Sequence, residues 1–154
     1  MTLPVDDLDR IMAVMHTAFD PAYGEAWTRR QVEDALVIGN CHYGVIGPDG
    51  MEPRPGGATA GFFLSRTGYD EEELLLLGVA PAWRRRGLGA KLLARFAAGA
   101  RAHGAVRLVL EMRRGNPAEH LYRGFGFVPV GVRPDYYRMP HGERIDAITL
   151  SCPI

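Results

Sequence analysis

A run of arginines followed by two closely spaced glycines is the part of this sequence whose residue types most clearly indicate chemistry. The run and the turn after it consist of Arg84, Arg85, Arg86, Gly87, Leu88, Gly89 and Ala90. When such a turn joins a strand to a helix, it aims unpaired backbone N–H groups and the positive end of the helix dipole at one point. The segment therefore predicts a site for an anion such as phosphate, although the glycines alone fit a tight turn beside solvated arginines equally well.

Two common phosphate-binding motifs do not fit this segment. A nucleoside triphosphate loop requires the order Gly-x-x-x-x-Gly-Lys-Ser/Thr, which is absent here. The dinucleotide fingerprint requires a third glycine at a fixed spacing and a strand early in the fold, and position 92 is leucine. We therefore expect the anion to be bound in neither of these two ways.

The composition limits the classes of function. The 154 residues include 18 Lys or Arg and 18 Asp or Glu, so the chain as a whole is not attracted to nucleic acid or to an anionic membrane. The length predicts one domain over residues 1–154. Two cysteines, Cys41 and Cys152, do not make a disulfide framework, and no signal segment or membrane-length apolar run occurs. We therefore expect a cytoplasmic protein without nucleic-acid or membrane partners.

The first half of the chain is predicted to contain two helices and a hairpin. The helices cover residues 8–19 and 28–39, and the strands cover residues 41–46 and 59–65. Asp6 and Asp7 are the predicted caps of the first helix, and Thr28 with Gln31 forms a capping-box pattern at the start of the second. The Pro- and Gly-rich residues 47–57 are predicted to form the loop of the hairpin.

The glycine turn lies inside a predicted βαβ unit. Its first strand is the apolar segment 74–79, which we expect to be buried on both faces and to follow an acidic loop at residues 70–73. A helix over residues 87–103 and a strand over residues 106–112 complete the unit, with the two strands parallel.

The last part of the chain is predicted to return to the sheet. A short helix over residues 116–125 has Asn116 as its cap, and strands over residues 127–133 and 146–150 flank a loop that contains Tyr136 and Tyr137. The predicted fold class is α/β, a single domain with a mixed central sheet flanked by helices.

The glycine turn and a second segment resemble motifs of one enzyme superfamily. Residues 84–90 are similar to the pyrophosphate-binding motif Gln/Arg-x-x-Gly-x-Gly/Ala of the GNAT superfamily of N-acetyltransferases. Residues 115–127, Gly-Asn-Pro-Ala-Glu-His-Leu-Tyr-Arg-Gly-Phe-Gly-Phe, resemble the helix of that family that runs from an Asn to a Tyr and ends in Gly-Phe. The resemblance implies the GNAT fold, acetyl-CoA as cosubstrate and an amine as acceptor.

Three further segments are similar to the RimI-type ribosomal-protein-alanine N-acetyltransferases of this superfamily. They are Leu110–Arg113, the Ala-Trp-Thr at residues 26–28, and the tail at residues 132–150. The resemblance implies direct acetyl transfer in a ternary complex to the α-amino group of a protein N-terminus, by a monomer or homodimer. Acetylation of a small-molecule amine or of lysine is the alternative enzymatic function. A catalytically inactive acyl-CoA-binding sensor is the alternative outside enzymes.

The resemblance also implies catalytic roles for two residues. Glu111 matches the general base of the family, and Tyr122 matches the general acid that protonates the departing thiolate. Taken without the resemblance, Glu111 is a surface carboxylate paired with Arg107 or Arg113, and Tyr122 is a residue of the core.

The remaining site residues would hold the cofactor. The resemblance implies that main-chain groups of Leu77, Gly78 and Val79 contact the pantetheine arm, that residues 84–90 bind the pyrophosphate, and that Asn116 touches the cofactor. A plain helix cap is an equally good interpretation of Asn116. We expect no metal, because no metal-ligand spacing relates the five histidines, which are His16, His42, His103, His120 and His141.

The chain departs from the resemblance in three places. Its first predicted helix starts close to Met1, so we expect the first strand of the family fold to be short or missing, which would expose a sheet edge. The spacing from Asn116 to Tyr122 is one residue shorter than in typical RimI-type sequences, which would shift Tyr122. The loop at residues 47–57 is an insertion.

Overall fold

In the part of the chain that the structure describes, six strands form one mixed sheet with helices on both faces. The computed structural model describes the backbone of residues 5–154 and the side chains of residues 7–154. The helices are α1 (Val5–Ala18), α2 (Arg29–Ile38), α3 (Leu88–Ala102) and α4 (Glu119–Phe125). The strands are β1 (Cys41–Ile46), β2 (Gly61–Thr67), β3 (Glu71–Val79), β4 (Arg107–Arg113), β5 (Val128–Arg138) and β6 (Arg144–Pro153). Their order in the sheet is β1-β2-β3-β4-β6-β5.

The predicted α/β architecture is confirmed. β1 and β2 form the antiparallel hairpin, and β3, α3 and β4 form the parallel βαβ unit. Within residues 5–154 the chain first enters the sheet at Cys41, after two helices. The expectation of a short or missing first strand concerns the start of the chain and lies outside the described residues. Thr28 and Gln31 make both hydrogen bonds of the predicted capping box. Asp6 and Asp7 lie inside α1 rather than before it, so the prediction that they cap this helix was wrong.

No helix in the part of the chain that the structure describes is both long enough and apolar enough to cross a membrane. Cys41 and Cys152 are both free thiols, in agreement with the expectation that they do not form a disulfide framework.

The sheet separates two apolar clusters. One lies between the sheet and the helices α3 and α4, and it includes Phe96 and Phe127. The other lies between the sheet and the helices α1 and α2, and it includes Ile11, Met15 and Val32. The strands supply both clusters because successive side chains of a strand point to opposite faces.

A β-bulge in β3 changes the cluster that its side chains reach. Leu76 pairs with Leu64 and Leu74 pairs with Ser65, so Leu75 has no partner position in β2. Leu74 belongs to the cluster beneath α3 and Leu76 to the cluster beneath α1, whereas residues two apart in a regular strand face the same side. The predicted burial of this strand on both faces is confirmed, and the bulge bends β3 just before its carboxyl end.

The acidic run is not a loop, contrary to the prediction. β3 begins at Glu71, so most of residues 70–73 belong to the strand. Glu72 is only 1% exposed, and it accepts hydrogen bonds from Ser65 Oγ at 2.6 Å and from Thr67 Oγ1 at 2.8 Å. The acidic composition predicted a solvent-exposed loop, and this prediction failed because the two hydroxyls of β2 supply hydrogen bonds to the Glu72 carboxyl group inside the fold.

Tyr136 and Tyr137 lie in β5 and not in a loop, which is a second correction. β5 continues to Arg138, with an irregular register against β6 between Arg133 and Tyr137. Pro134 lies in this irregular part and has no N–H to donate, a residue that sheets tolerate on an edge strand such as β5. The chain therefore stays in the sheet through a segment whose composition indicated a turn, with a left-handed residue, Asp135 (φ 54°), in the irregular part.

Candidate active site

β3 and β4 separate toward their carboxyl ends. Their parallel pairing ends where Leu74 lies opposite Leu110, whereas β3 continues to Val79 and β4 to Arg113. In the described part of the chain, no strand pairs with this edge of β3 beyond Leu74. A crevice at the carboxyl ends of parallel strands is the usual position for a ligand in an open α/β sheet.

Leu77, Gly78 and Val79 form the part of β3 that borders this crevice. Their opposite edge is paired with β2, where Phe62 lies opposite Gly78. An extended ligand can therefore hydrogen-bond to the unpaired edge as an added strand would. Gly78 also has a packing role, because a Cβ atom at this position would lie 3.0 Å from the Cβ of Ala18 in α1.

A short 3-10 helix, Pro81–Trp83, separates the end of β3 from the glycine turn. Arg85 (φ 64°) and Gly87 (φ 77°) both have left-handed backbone conformations, which curl the chain into the start of α3. Gly87 is the N-cap residue of this 15-residue helix, and within the described residues no side chain caps the first turn. The first N–H groups of α3 are therefore available to an anion at the positive end of the helix dipole.

Glu111 lies on β4, on the face that carries the cluster with α1 and α2. Its side chain is 22% exposed, and its Oε2 atom is 3.3 Å from Arg133 Nε and accepts a hydrogen bond of 3.3 Å from Thr149 Oγ1. Arg107 and Arg113 pair with other carboxylates. Glu111 therefore does not pair with Arg107 or Arg113, as the sequence taken without the resemblance indicated, but with Arg133.

Tyr122 lies in α4 and is buried, with 7% of its surface exposed. Its ring packs edge-on against Phe127, with centroids 6.0 Å apart. Burial and, to a smaller extent, the charge of Glu25 raise the pKa of the Tyr122 hydroxyl to about 12. Burial and the charge of Glu111 likewise raise the pKa of Tyr137 to about 12. The hydroxyls of both tyrosines are protonated at neutral pH and can act as hydrogen-bond donors.

A family model supports the presence of a ligand site at the crevice and at the start of α3. Residues 41–129, which run from β1 through the glycine turn to β5, match the model described as the acetyltransferase (GNAT) domain. The chain belongs to the GNAT acetyltransferase family.

Individual GNAT proteins resemble this chain over different lengths. The ribosomal protein bS18-alanine N-acetyltransferase of Haemophilus influenzae is 34% identical over 92 residues, which are 60% of this chain and 63% of that protein. The chain thus spans less than two thirds of the length of this relative. The crystal structure of the ribosomal-protein-S18-alanine N-acetyltransferase from Escherichia coli has a TM-score of 0.77 at 25% identity, covering 100% of this chain and 92% of that chain.

A third GNAT comparison concerns a structure with a bound cofactor. An acetyltransferase of Bacillus anthracis, solved in complex with acetyl coenzyme A, has a TM-score of 0.58 at 21% identity. The similarity covers 64% of this chain and 57% of that chain, and at this identity it shows a shared fold.

The three arginines of the GNAT motif have different surroundings. Arg84 donates from Nε to the carbonyl of Val79 at 3.0 Å and from a terminal nitrogen to the carbonyl of Ala18 at 2.7 Å, so it ties the turn to the ends of β3 and α1. The guanidinium of Arg86 lies over the ring of Trp83, 5.2 Å from the centroid. Arg85 makes no side-chain hydrogen bond or ion pair within the described residues. It is therefore the arginine whose charge is most available to a ligand.

The two glycines of the GNAT motif have different structural roles. A Cβ atom at Gly89 would lie 2.8 Å from Leu121 Cδ2, so Gly89 lets α4 pack closely against α3. A Cβ atom at Gly87 would meet nothing within 4 Å, and this glycine is needed for its positive φ and for open space above the helix start.

Asn116 caps a turn rather than α4 itself. Its Oδ1 atom accepts a hydrogen bond of 2.9 Å from the N–H of Ala118, and α4 begins at Glu119. The predicted start of this helix at residue 116 was therefore too early. The capping interaction accounts for Asn116 without a ligand, and a cofactor contact stays a prediction.

One polar group at the end of β4 was not predicted from the sequence. The Arg113 guanidinium lies 3.5 Å from the centroid of the Tyr23 ring, and Arg113 Nε is 3.5 Å from Glu25 Oε1. Tyr23 and Glu25 belong to the segment between α1 and α2. The group attaches this segment to β4 at the strand separation. No local sequence pattern predicts this group, because Arg113 is about ninety positions from Tyr23 and Glu25 in the sequence.

Proposed function

We propose that this chain transfers the acetyl group of acetyl-CoA to the α-amino group of a protein N-terminus, with alanine as the first residue. The observation that carries the proposal is the separation of β3 and β4 together with the uncapped start of α3, which follows β3 after a short 3-10 helix and the arginine run. The names of the H. influenzae and E. coli relatives support the choice of acceptor.

The residues present fit acetyl-CoA. The unpaired edge at Leu77, Gly78 and Val79 suits the extended pantetheine arm, and the N–H groups after Gly87 suit the pyrophosphate. Arg85 adds a positive charge. When bound in this way, the cofactor supplies the acetyl thioester at the strand separation. The arginine side chains contribute less to cofactor binding than the main-chain N–H groups do.

Two side chains are proposed to move the protons. The carboxylate of Glu111 accepts a proton from the attacking amine, directly or through water, while the N–C bond forms. The hydroxyl of Tyr122 donates to the sulfur as the C–S bond breaks. The proton taken up by Glu111 then returns to the Tyr122 oxygen through solvent, so that the net reaction is an amine and a thioester giving an amide and a thiol.

The acidic run at residues 70–73 does not support binding of a basic peptide. Glu71 and Glu73 lie at the opposite end of β3 from the strand separation, and they pair with Arg107 and Arg66. The carboxylates closer to the separation are those of Glu111 and of Glu25. We therefore propose that these two, and not the acidic run, attract a positively charged amine.

A peptide that offers two amines tests the acceptor. We expect a peptide with a free N-terminal alanine and an internal lysine to be acetylated at the α-amine, which tandem mass spectrometry locates. The same peptide with a blocked N-terminus is the control and should not react. Acetylation of lysine or of small-molecule amines alone would contradict the proposed acceptor. Cofactor binding without release of CoA in any amine would indicate an acyl-CoA sensor.

Substitution of Gly87 tests the cofactor site. We expect Gly87→Val to weaken acetyl-CoA binding at least about tenfold, equivalent to about 1.4 kcal/mol, because the side chain occupies the space above the first N–H groups of α3. Arg85→Ala should weaken binding less. Titration calorimetry measures both affinities.

Gly104→Val is a matched control for the strain that Gly87→Val introduces. Gly104 follows α3 and has a φ of 87°, and a Cβ atom added there would meet nothing within 4 Å, as is also true of Gly87. Both variants should lose similar stability in thermal unfolding, and only Gly87→Val should lose affinity. Unchanged affinity in a folded Gly87→Val protein would contradict the site.

A further inference from the structure

A second cluster of reactive side chains lies away from the strand separation. His42 of β1, Glu72 of β3 and His103 at the end of α3 each offer a potential ligand atom, and these atoms lie within 4.8 Å of one another. The rings of His42 and His103 stack with centroids 3.9 Å apart, and His103 Nδ1 is 3.5 Å from Glu72 Oε1. Three separate elements therefore present two imidazoles and one carboxylate at one point.

Glu72 gives this cluster a buried carboxyl group. Its side chain is 1% exposed, and the hydroxyls of Ser65 and Thr67 that donate to it are neutral. The arginines near it are engaged elsewhere, since Arg66 pairs with Glu73, and Arg95 binds the Val45 carbonyl and Glu52. A buried carboxylate is costly unless a cation compensates it.

We propose that His42, Glu72 and His103 bind a divalent transition-metal ion of the zinc class. Two histidines and one glutamate form a donor set that proteins use for Zn²⁺, with a further position left for water. A cavity of about 280 Å³ lies beside the three residues, which provides room for that water. The ion would also neutralise the carboxylate of Glu72.

The proposed ion requires a small local adjustment. Bonds from zinc to nitrogen and oxygen are about 2.0–2.2 Å long, so the three ligand atoms must move closer together and the stacked rings must tilt apart. His103 can make this movement because it is 34% exposed and follows the last residue of α3. Glu72 provides the fixed anchor of the site within the sheet.

The position of the cluster places the ion away from the proposed acetyl-transfer site. Leu77 is five positions after Glu72 in β3, which corresponds to roughly 16 Å along the strand. The ion would join β1 and β3 to the end of α3, on the face opposite α1. We therefore expect binding to raise the melting temperature without being needed for acetyl transfer.

Titration of the metal-free protein with Zn²⁺ tests this site. Calorimetry should show one ion per chain, and Co²⁺ should give the visible absorption of a tetrahedral site. His42→Gln and His103→Gln should each weaken Zn²⁺ binding more than about tenfold and abolish the rise in melting temperature. His141→Gln, at an exposed histidine elsewhere, is the matched control and should bind as the wild type does.

Two results would overturn the proposal. One is the absence of saturable Zn²⁺ and Co²⁺ binding by the wild type. The other is unchanged binding by a folded His103→Gln protein, which would place the ion elsewhere on the surface. The measurement does not depend on the proposed acetyl transfer, and His103→Gln should retain normal transfer activity in the presence of chelator.

Discussion

Tyr122→Phe is expected to lower the turnover of acetyl transfer by about a hundredfold or more, while the affinity for acetyl-CoA changes little. The substitution keeps the ring that packs against Phe127 and removes only the hydroxyl. Steady-state kinetics with the alanine peptide measures the turnover, and calorimetry measures the affinity. Tyr69→Phe removes the same atom from a tyrosine that is 91% exposed, and as the matched control it should have normal activity.

The raised pKa of Tyr122 adds a second expectation for the wild type. Because the pKa is raised to about 12, the hydroxyl is almost fully protonated up to about pH 10 and loses its proton as the pH rises through the pKa. The donor is therefore present throughout neutral and mildly alkaline conditions. Turnover should not fall as the pH rises to about 10. Normal turnover of Tyr122→Phe would show that water or another group protonates the sulfur.

Features that depend on neighbouring residues were predictable from the sequence. The capping box of Thr28 and Gln31 depends on residues three positions apart, and the structure contains both of its hydrogen bonds. The start of α3 at Gly87 also follows from local chemistry, since glycine adopts a positive φ without a steric penalty. The apolar segment at residues 74–79 was too short for a helix of its own and therefore indicated a strand covered on both faces.

Features that depend on distant residues were not predictable. Arg84 binds the carbonyl of Ala18, which is 66 residues away, so an arginine of the glycine turn has its guanidinium in a structural contact. Glu72 belonged to an apparently solvated acidic run, and only the pairing of β2 with β3 brings the hydroxyls of Ser65 and Thr67 to it. His42 and His103 meet for the same reason, because the sheet and α3 bring their elements together.

Contacts around Glu111 also come from the sheet topology. Arg107 and Arg113 lie on the same strand as Glu111, and the sequence favoured one of them as its partner. Both pair elsewhere, and β5 instead brings Arg133 to the carboxylate across β6. The order of the strands β4, β6 and β5 decides this contact, and composition carries no information about that order.

Glu111→Gln is expected to lower the rate of α-amine acetylation by about a hundredfold near pH 7, and the loss should shrink as the pH rises. An α-amino group has a pKa of about 7.7–8.0, so most of the amine is protonated at neutral pH and is neutral at about pH 9. A base is needed most where the amine is still protonated. The glutamine keeps an oxygen that can accept from Thr149 but cannot take up a proton.

Arg133→Leu separates the loss of a base from the loss of an ion pair. Arg133 Nε lies 3.3 Å from Glu111 Oε2, so Glu111→Gln removes an ion pair together with the carboxylate. Arg133→Leu removes the same ion pair and leaves the carboxylate in place, and it should retain most of the rate at pH 7. Rates measured for both variants from about pH 6.5 to 9.5 distinguish the two effects, since this range spans the α-amine pKa. Two results would contradict a role for Glu111 as the base. One is a loss of rate in Glu111→Gln that does not change with pH, and the other is an equal loss of rate in Arg133→Leu. Glu111 would then be a residue that holds β5 against the crevice through its ion pair with Arg133.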